Sequence, residues 1–433
     1  MIFIGTRPEI IKMAPIIRKA EKYGFNLIVI HSGQHYDYQM SEVLLQDLEL
    51  ININENLEIG SGSHGYQTAK MIEKFEDTVL KYNPDVVLAQ GDTNTVVAVA
   101  IVCSKLGIPF GHVEAGIRSF DMTMPEEINR RIASVGATFH FAPTQQSVLN
   151  LYYEGIDPER IFLTGNTIVD STLENIEIAK KKSQIIDKLK LSKSKQYIIV
   201  TVHRPSNVDN KENLTAICES LISLDEFHFI FAIHPRTNNK LDEYNLKSKL
   251  LNSKNIILTE PLGYLDFISL LNNCKIIITD SGGIQEEAVI LKKPCITLRT
   301  NTERPETVRE GLNILVGVDS KKIIETVKRI SKSGDHKNEI NTKQDLYGKG
   351  DASQAILQIL KNELKSKKLV FKKPVFFESG SAEYQLVNIT KDSTREDIEK
   401  TYKGKITLVY DESGKPKPLT ERILKNWYVR IQN

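Results

Sequence analysis

Cysteine is scarce: Cys103, Cys218, Cys274 and Cys295 stand far apart and form no CxxC pair. That argues against a disulfide framework and against a thiolate zinc site, and it fits a reducing compartment. Long apolar runs are also missing, since none approaches the ~18 residues needed to cross a bilayer. The opening MIFIGTRPEIIK has no basic segment ahead of its apolar residues, so no secretory leader is expected. Nor is there an excess of one charge, because 57 Lys and Arg face 55 Asp and Glu and leave +2. A chain whose task is to neutralise a phosphate backbone carries much more, so nucleic-acid binding is disfavoured. The expectation is a cytoplasmic protein that partners neither nucleic acid nor membrane.

What is present is ordinary globular material. Hydrophobic residues make up 40% and charged residues 26% of 433, enough to bury a sizeable core across one to three domains. Short Val- and Ile-rich runs alternate with amphipathic stretches up to about position 360, the pattern of a parallel sheet with crossover helices, so the fold class is α/β. Expected strands are Ile2 to Ile4, Leu27 to His31, Val86 to Ala89, Phe110 to Val113, Thr138 to Ala142 and Ile161 to Leu163. After a Lys- and Ser-rich stretch at 180–195 a second series follows: Tyr197 to Val202, Phe229 to Ile233, Ile256 to Leu258, Ile276 to Thr279 and Cys295 to Leu298. The expected organisation is a first doubly wound domain over 1–170, a second over 171–350, a closing helix over 351–366 and a small α+β accessory segment over 367–433. Within that segment STREDIEKTY reads as a helix, and KITLVY and WYVRI read as strands.

Polar loops follow the strands: GTRPE, GDTNT, EAGIRS, HRPSNVD and DSGG. Open α/β sheets bind ligands beyond the carboxyl ends of their strands, so five such loops point to one shared cleft between two sheets. The run Asp280-Ser281-Gly282-Gly283 leads from a strand into a helix, where free backbone amides can cradle a diphosphate. Glu286 and Glu287, one turn inside, could accept ribose hydroxyls, and Arg304 lies downstream; a nucleoside diphosphate fits the set. Arg7 and Lys12 would bring positive charge from the other domain. A second group, Asp92, Glu114, Glu126 and His203, sits beside strand ends or helix starts and has the residue types of general acids and bases. A glutamate at a helix start also serves simply to complement the helix dipole, and spacing does not choose between the two.

Read together, GTRPEIIKMAP, QGDTNT, GHVEAGIRS, PEEINRR, TGNTIVDS, TVHRPSNVD, DSGGIQEE and TERPET resemble the non-hydrolysing UDP-N-acetylglucosamine 2-epimerases of archaea and bacteria, collinearly from Ile2 to about Leu360. The resemblance implies two Rossmann-like domains facing a central cleft in the glycosyltransferase-B arrangement. It implies interconversion of UDP-N-acetylglucosamine and UDP-N-acetylmannosamine by elimination and re-addition of UDP, with no metal and no nicotinamide cofactor. Carried over by motif, Asp92, Glu114 and Glu126 are the catalytic carboxylates and His203 the catalytic, diphosphate-facing histidine. Arg7, Lys12, Ser281, Gly282, Gly283, Glu287 and Arg304 are nucleotide-contacting positions, and Phe267 lies near the uracil. Gln34, His35 and Tyr36, with His234, correspond to the region where many bacterial members hold a second, activating UDP-N-acetylglucosamine. A homodimer is implied in the same way, as is a role in supplying N-acetylmannosamine units for surface glycans. Three departures stand out: a short first strand, HRPSN where many members have HRRE or HREN, and the additional tail from Lys367. Sister activities with most motifs in common are the hydrolysing epimerase and an epimerase of a modified UDP-sugar such as a diacetamido uronic acid; a glycosyltransferase of this architecture is the alternative from another reaction class, and a nucleotide-sugar sensor the non-enzymatic one.

Overall fold

The computed structural model describes residues 1–33, 38–50, 53–191, 196–332, 346–366, 384–411, 416–417, 419 and 422–432. The chain divides into two compact units, Met1–Leu369 and Val370–Asn433.

The larger unit contains two sheets. The first is built from β1 (Ile2–Ile4), β2 (Val29–His31), β3 (Glu55–Asn56), β4 (Val87–Gln90), β5 (Phe110–Val113), β6 (Phe139–Ala142) and β7 (Ile161–Leu163), in the order β3-β2-β1-β4-β5-β6-β7. The second uses β8 (Tyr197–Thr201), β9 (His228–Ala232), β10 (Ile256–Thr259), β11 (Ile276–Thr279), β12 (Cys295–Thr297) and β13 (Asn313–Leu315), in the order β10-β9-β8-β11-β12-β13. All pairings in both are parallel. Helices cover both faces, which is why strands such as Tyr197–Thr201 are buried at every position and read as unbroken apolar runs rather than as alternation.

In each sheet the order reverses at one place, between β1 and β4 and between β8 and β11. The crevice beyond such a reversal is where open α/β sheets hold ligands. The topology therefore sets GTRPE beside GDTNT in one sheet and HRPSN beside DSGG in the other. In the larger unit two strands were not foreseen: β3 is two polar residues, and β13 spans only three, too short to show a period.

Chain order and spatial order part company at the helix Ala352–Ser366. It packs against the helix Arg7–Ala20, and its Ile356, Leu357 and Leu360 share a core with Ile10, Met13 and Ile16. Asp170 accepts the free amides of Ala352 (3.2 Å) and Ser353 (2.9 Å) at its start, and Lys19 donates to Ser353 Oγ at 2.7 Å. All four cysteines are buried and free, and burial pushes each thiol up to about 12.

The smaller unit is α+β. It contains β14 (Tyr384–Asn388), β15 (Ser393–Thr394), β16 (Lys405–Tyr410), β17 (Pro416–Lys417), β18 (Arg422–Ile423) and β19 (Tyr428–Gln432), with an antiparallel sheet ordered β14-β19-β16-β17 and a small β15-β18 pair. Thr394 caps the helix Arg395–Tyr402, whose Ile398 joins Ile389, Ile406, Val409, Ile423, Val429 and Ile431 in a core of the unit's own. The strand Tyr384–Asn388 was not anticipated, and the run KKLVFKKPVFF at 367–377 lies outside the described residues. Among the described residues no helix is long and apolar enough to cross a membrane.

Candidate active site

A cavity of about 580 Å³ opens between the carboxyl ends of the two sheets of the larger unit. Arg7, Lys12 and Ile11 line it from the first sheet's side; His203, His234, Phe267, Ser281, Gly283 and Glu287 line it from the second. Seven of the residues expected from sequence thus share one cavity, together with His234. Asp92, Glu114, Glu126, Gly282 and Arg304 are not on it, and Gln34, His35 and Tyr36 lie outside the described residues.

One end of the cavity is the start of the helix Gly282–Ile290. Ser281 caps it, its Oγ accepting the Ile284 amide at 3.5 Å. A methyl group at Gly283 would meet nothing within 4 Å, so no packing demands glycine there; its absence of side chain leaves the amides open to a ligand. Amides at a helix start, the dipole behind them and the Arg7 guanidinium across the cavity favour an anion.

Behind Lys12 lies a buried cluster of four charges that sum to zero. Lys12 Nζ is 2.7 Å from Glu114 and 3.1 Å from Glu286; Arg304 is 2.6 Å from Glu286 and 3.4 Å from Glu114. Gln90 also donates to Glu114. Glu114 follows β5 with φ +70°, a left-handed conformation that is uncommon for a residue with a side chain. Burial raises its pKa above the ordinary carboxylate value; Lys12 and Arg304 oppose this, and Glu286 reinforces it. Glu286 goes the other way, since Arg304 and Lys12 together outweigh its burial and hold it low. A carboxyl poised to carry or release a proton beside a fixed carboxylate is an acid/base arrangement. The pairing of Glu286 with Glu287 as ribose acceptors is corrected here: Glu286 is wholly buried and committed to Arg304 and Lys12.

Asp92 is held from one side by the helix Pro125–Gly136. Arg130 Nε reaches its carboxylate at 2.9 Å, Asn129 Nδ2 donates to its carbonyl at 2.8 Å, and His112 Nε2 donates to the Gly91 carbonyl at 2.8 Å. Burial lowers the His112 pKa to about 3, so this donor stays a neutral imidazole. Of the two glutamates in PEEINRR, Glu127 is buried on Ser119, Arg130 and Arg131, whereas Glu126 is exposed on the first turn of the helix Pro125–Gly136.

The two loops at the first reversal are clamped by Glu9. Its carboxylate accepts the amides of Gly5 and Thr6, each at 2.7 Å, and the hydroxyl of Thr93. Burial outweighs these bonds and moves its pKa from 4.5 to about 7. An acid raised on folding holds its proton more firmly in the native state, so its contribution is full below about 4.5 and is lost as pH rises through about 7. Glu9→Gln, which keeps the acceptor oxygen and removes the ionisation, is expected to flatten the fall in melting temperature between pH 5 and pH 8. Calorimetry at both pH values checks this; an unchanged slope would contradict it.

On the opposite wall the Tyr264 hydroxyl donates to Glu287 at 3.0 Å, and the Arg7 guanidinium lies 5.9 Å from the Tyr264 ring centre. Burial moves Glu287 up to about 7, partly opposed by Tyr264 and Arg7. Half-buried Phe267 adds an apolar surface. The rings of His203 and His234 are 5.8 Å apart, and burial, then His203, lowers the His234 pKa. Sequence reasoning missed Glu9, Gln90, Tyr264 and Asp280. Only Asp280 gave a signal, as the acid beside a helix start in a motif already under suspicion.

Two parallel doubly wound sheets, with a cation-flanked cavity between their carboxyl ends, define an α/β protein of the glycosyltransferase-B arrangement. Within that class the chain belongs to the UDP-N-acetylglucosamine 2-epimerase family, whose family model matches residues 18–361. It is 49% identical over 371 residues to the UDP-N-acetylglucosamine 2-epimerase of Methanocaldococcus jannaschii, covering 83% of this chain and 98% of that one. A crystal structure of the M. jannaschii UDP-GlcNAc 2-epimerase in complex with UDP-GlcNAc and UDP superposes with a TM-score of 0.75 at 48% identity, over 83% of this chain and 99% of that chain. The UDP-2,3-diacetamido-2,3-dideoxy-D-glucuronate 2-epimerase of Pseudomonas aeruginosa is 36% identical over 367 residues, covering 83% of this chain and 98% of that one.

Proposed function

We propose that the protein interconverts UDP-N-acetylglucosamine and UDP-N-acetylmannosamine without net hydrolysis. The observation that carries this is the pairing of an anion-binding helix start with a buried Glu114, ion-paired behind Lys12. The C2 proton passes to a carboxylate, the C2–H electron pair becomes the C1=C2 bond, and UDP departs with the C1–O pair. Return of UDP to C1 and of a proton to the opposite face of C2 completes the exchange. Such a step requires a base on one face, an acid on the other and stabilisation of the departing diphosphate. Asp92, Glu114 and Glu126 supply the carboxylates. Arg7, His203 and the amides of Ser281, Gly282 and Gly283 receive the diphosphate; Glu287 takes the ribose and Phe267 the uracil. Lys12 and Arg304 act on the ligand's charge from behind, as part of the buried cluster. No metal or redox cofactor has a part in the scheme.

We further infer a cytoplasmic homodimer. The outward stripe Ile128, Ile132 and Val135 on the helix Pro125–Gly136, with Val135 81% exposed, supports a subunit contact. His234 on the cavity wall suits a second, activating UDP-N-acetylglucosamine. Residues 1–170 and 171–350 act as the two domains of the cleft and 351–366 as the helix that closes it, with 367–433 as an accessory segment.

Incubation with UDP-N-acetylglucosamine in deuterated water tests the reaction. The product epimer should carry deuterium at C2 while UDP stays bound in the nucleotide sugar. Unlabelled product would remove the elimination route, and accumulating free N-acetylmannosamine would identify a hydrolysing enzyme.

A further inference from the structure

The second sheet's reversal holds one carboxylate that the reaction scheme leaves unused. Asp280 follows β11, is fully buried, and gathers the donors of the adjacent HRPSN loop. Its oxygens accept the His203 amide at 3.1 Å, the Arg204 amide at 2.9 Å and Asn207 Nδ2 at 3.1 Å. Arg204 Nε donates to its backbone carbonyl at 3.0 Å. The remaining approach is His203 Nδ1, 3.0 Å from Oδ1. The register explains the convergence: Thr201 pairs with Thr279 across β8 and β11, their hydroxyls 2.7 Å apart, so the two chains leave the sheet side by side. Ser281, the next residue, caps the anion-binding helix.

We propose that Asp280 is a positioning residue for the reaction assigned above, holding the proton of neutral His203 on Nδ1 and so leaving Nε2 to face the diphosphate. A buried carboxylate has no proton to give and only accepts, so a ring nitrogen set against it must be the donor. The same carboxylate ties the histidine to the residue that begins the helix, and the imidazole and the backbone amides therefore address one ligand as a fixed set. In HRPSN, Asn207 supplies a donor to Asp280 and a second one to the Leu298 carbonyl at 2.9 Å, pinning the loop from its far end. The inference rests on the proposed function for its catalytic meaning and on geometry alone for the tautomer.

The experiment separates the two. Nitrogen-15 spectra of histidine-labelled protein, with nine histidines to resolve and His203→Gln for assignment, report the tautomer directly. The native protein should show His203 as the Nδ1–H form at high pH, and an Nε2–H form would overturn the proposal whatever the variants do. Asp280→Asn keeps the shape and one acceptor oxygen but can turn an amide donor toward the ring. It should shift His203 toward Nε2–H, weaken UDP binding about tenfold and lower kcat about 100-fold, with the wrong tautomer as the cause. A folded Asp280→Asn protein with native tautomer and native kcat would also overturn it. If the tautomer result holds while deuterium exchange fails, the positioning stands and the assigned reaction is what falls.

Discussion

Glu114→Gln is expected to lower turnover by at least ~100-fold, the loss typical of a removed acid/base group, while UDP binds as well as before or more tightly. The second half follows from the charge count in the buried cluster. Lys12 and Arg304 face Glu114 and Glu286, so a neutral side chain at position 114 leaves one positive charge uncompensated behind the diphosphate site. Glutamine can still accept from Lys12, which limits the structural damage. Asp92→Asn and Glu126→Gln should fall in the same range of lost turnover, by different routes: Asp92 is pinned to Arg130, and Glu126 is an accessible carboxylate. Steady-state kinetics beside titration calorimetry reads both halves. A kcat within tenfold of wild type for Glu114→Gln would take that residue out of the chemistry.

Lys12→Met should produce the largest loss of stability of any single change considered. The methionine fills similar space, but Glu114 and Glu286 lose one of the two cations between them while remaining buried, which leaves a net negative charge in the cluster. Breaking a buried pair in this way costs about 3–5 kcal/mol. For a unit of this size that corresponds to a drop of roughly five degrees in melting temperature. Lys81→Met is the control: its partner Glu55 is 2.8 Å away, but the lysine is mostly exposed, so the melting temperature should hardly move. Scanning calorimetry of the two variants decides the matter, and similar small shifts in both would mean that the cluster contributes little to holding the larger unit together.

The strands and the class of fold were legible because both sheets are buried on both faces, which writes each strand as a compact apolar run. Where that condition fails the signal fails: β3 is Glu55–Asn56, held by its neighbour rather than by its own composition. The candidate site was legible in its motifs and not in its pairings. Lys12 and Arg304 both read as nucleotide contacts, yet each is also bound to a glutamate, 102 and 18 residues away along the chain. No spacing rule connects such positions; only the meeting of two sheets does. Glu286 and Glu287 make the point most sharply, since adjacent identical residues on one helix face different surroundings, and their pKa values move in opposite directions. The partners of Asp280 were hidden for a related reason, because they lie on another strand's loop and the strand order alone makes them neighbours.

The return of the helix Ala352–Ser366 to the first sheet's core has a bearing on biosynthesis. When the ribosome has finished β7, the seven strands of that sheet exist, but the surface formed by Ile10, Met13 and Ile16 still lacks Ile356, Leu357 and Leu360. The whole of the second sheet must be translated before that cover emerges, an interval on the order of ten to forty seconds at ~5–20 residues per second. For that time the nascent chain carries an apolar face with no mate, and the amide-binding carboxylate of Asp170 waits for Ala352 and Ser353. A chaperone that binds exposed apolar surface should therefore engage ribosome-bound chains stalled between β7 and residue 352, and release those that have passed residue 366.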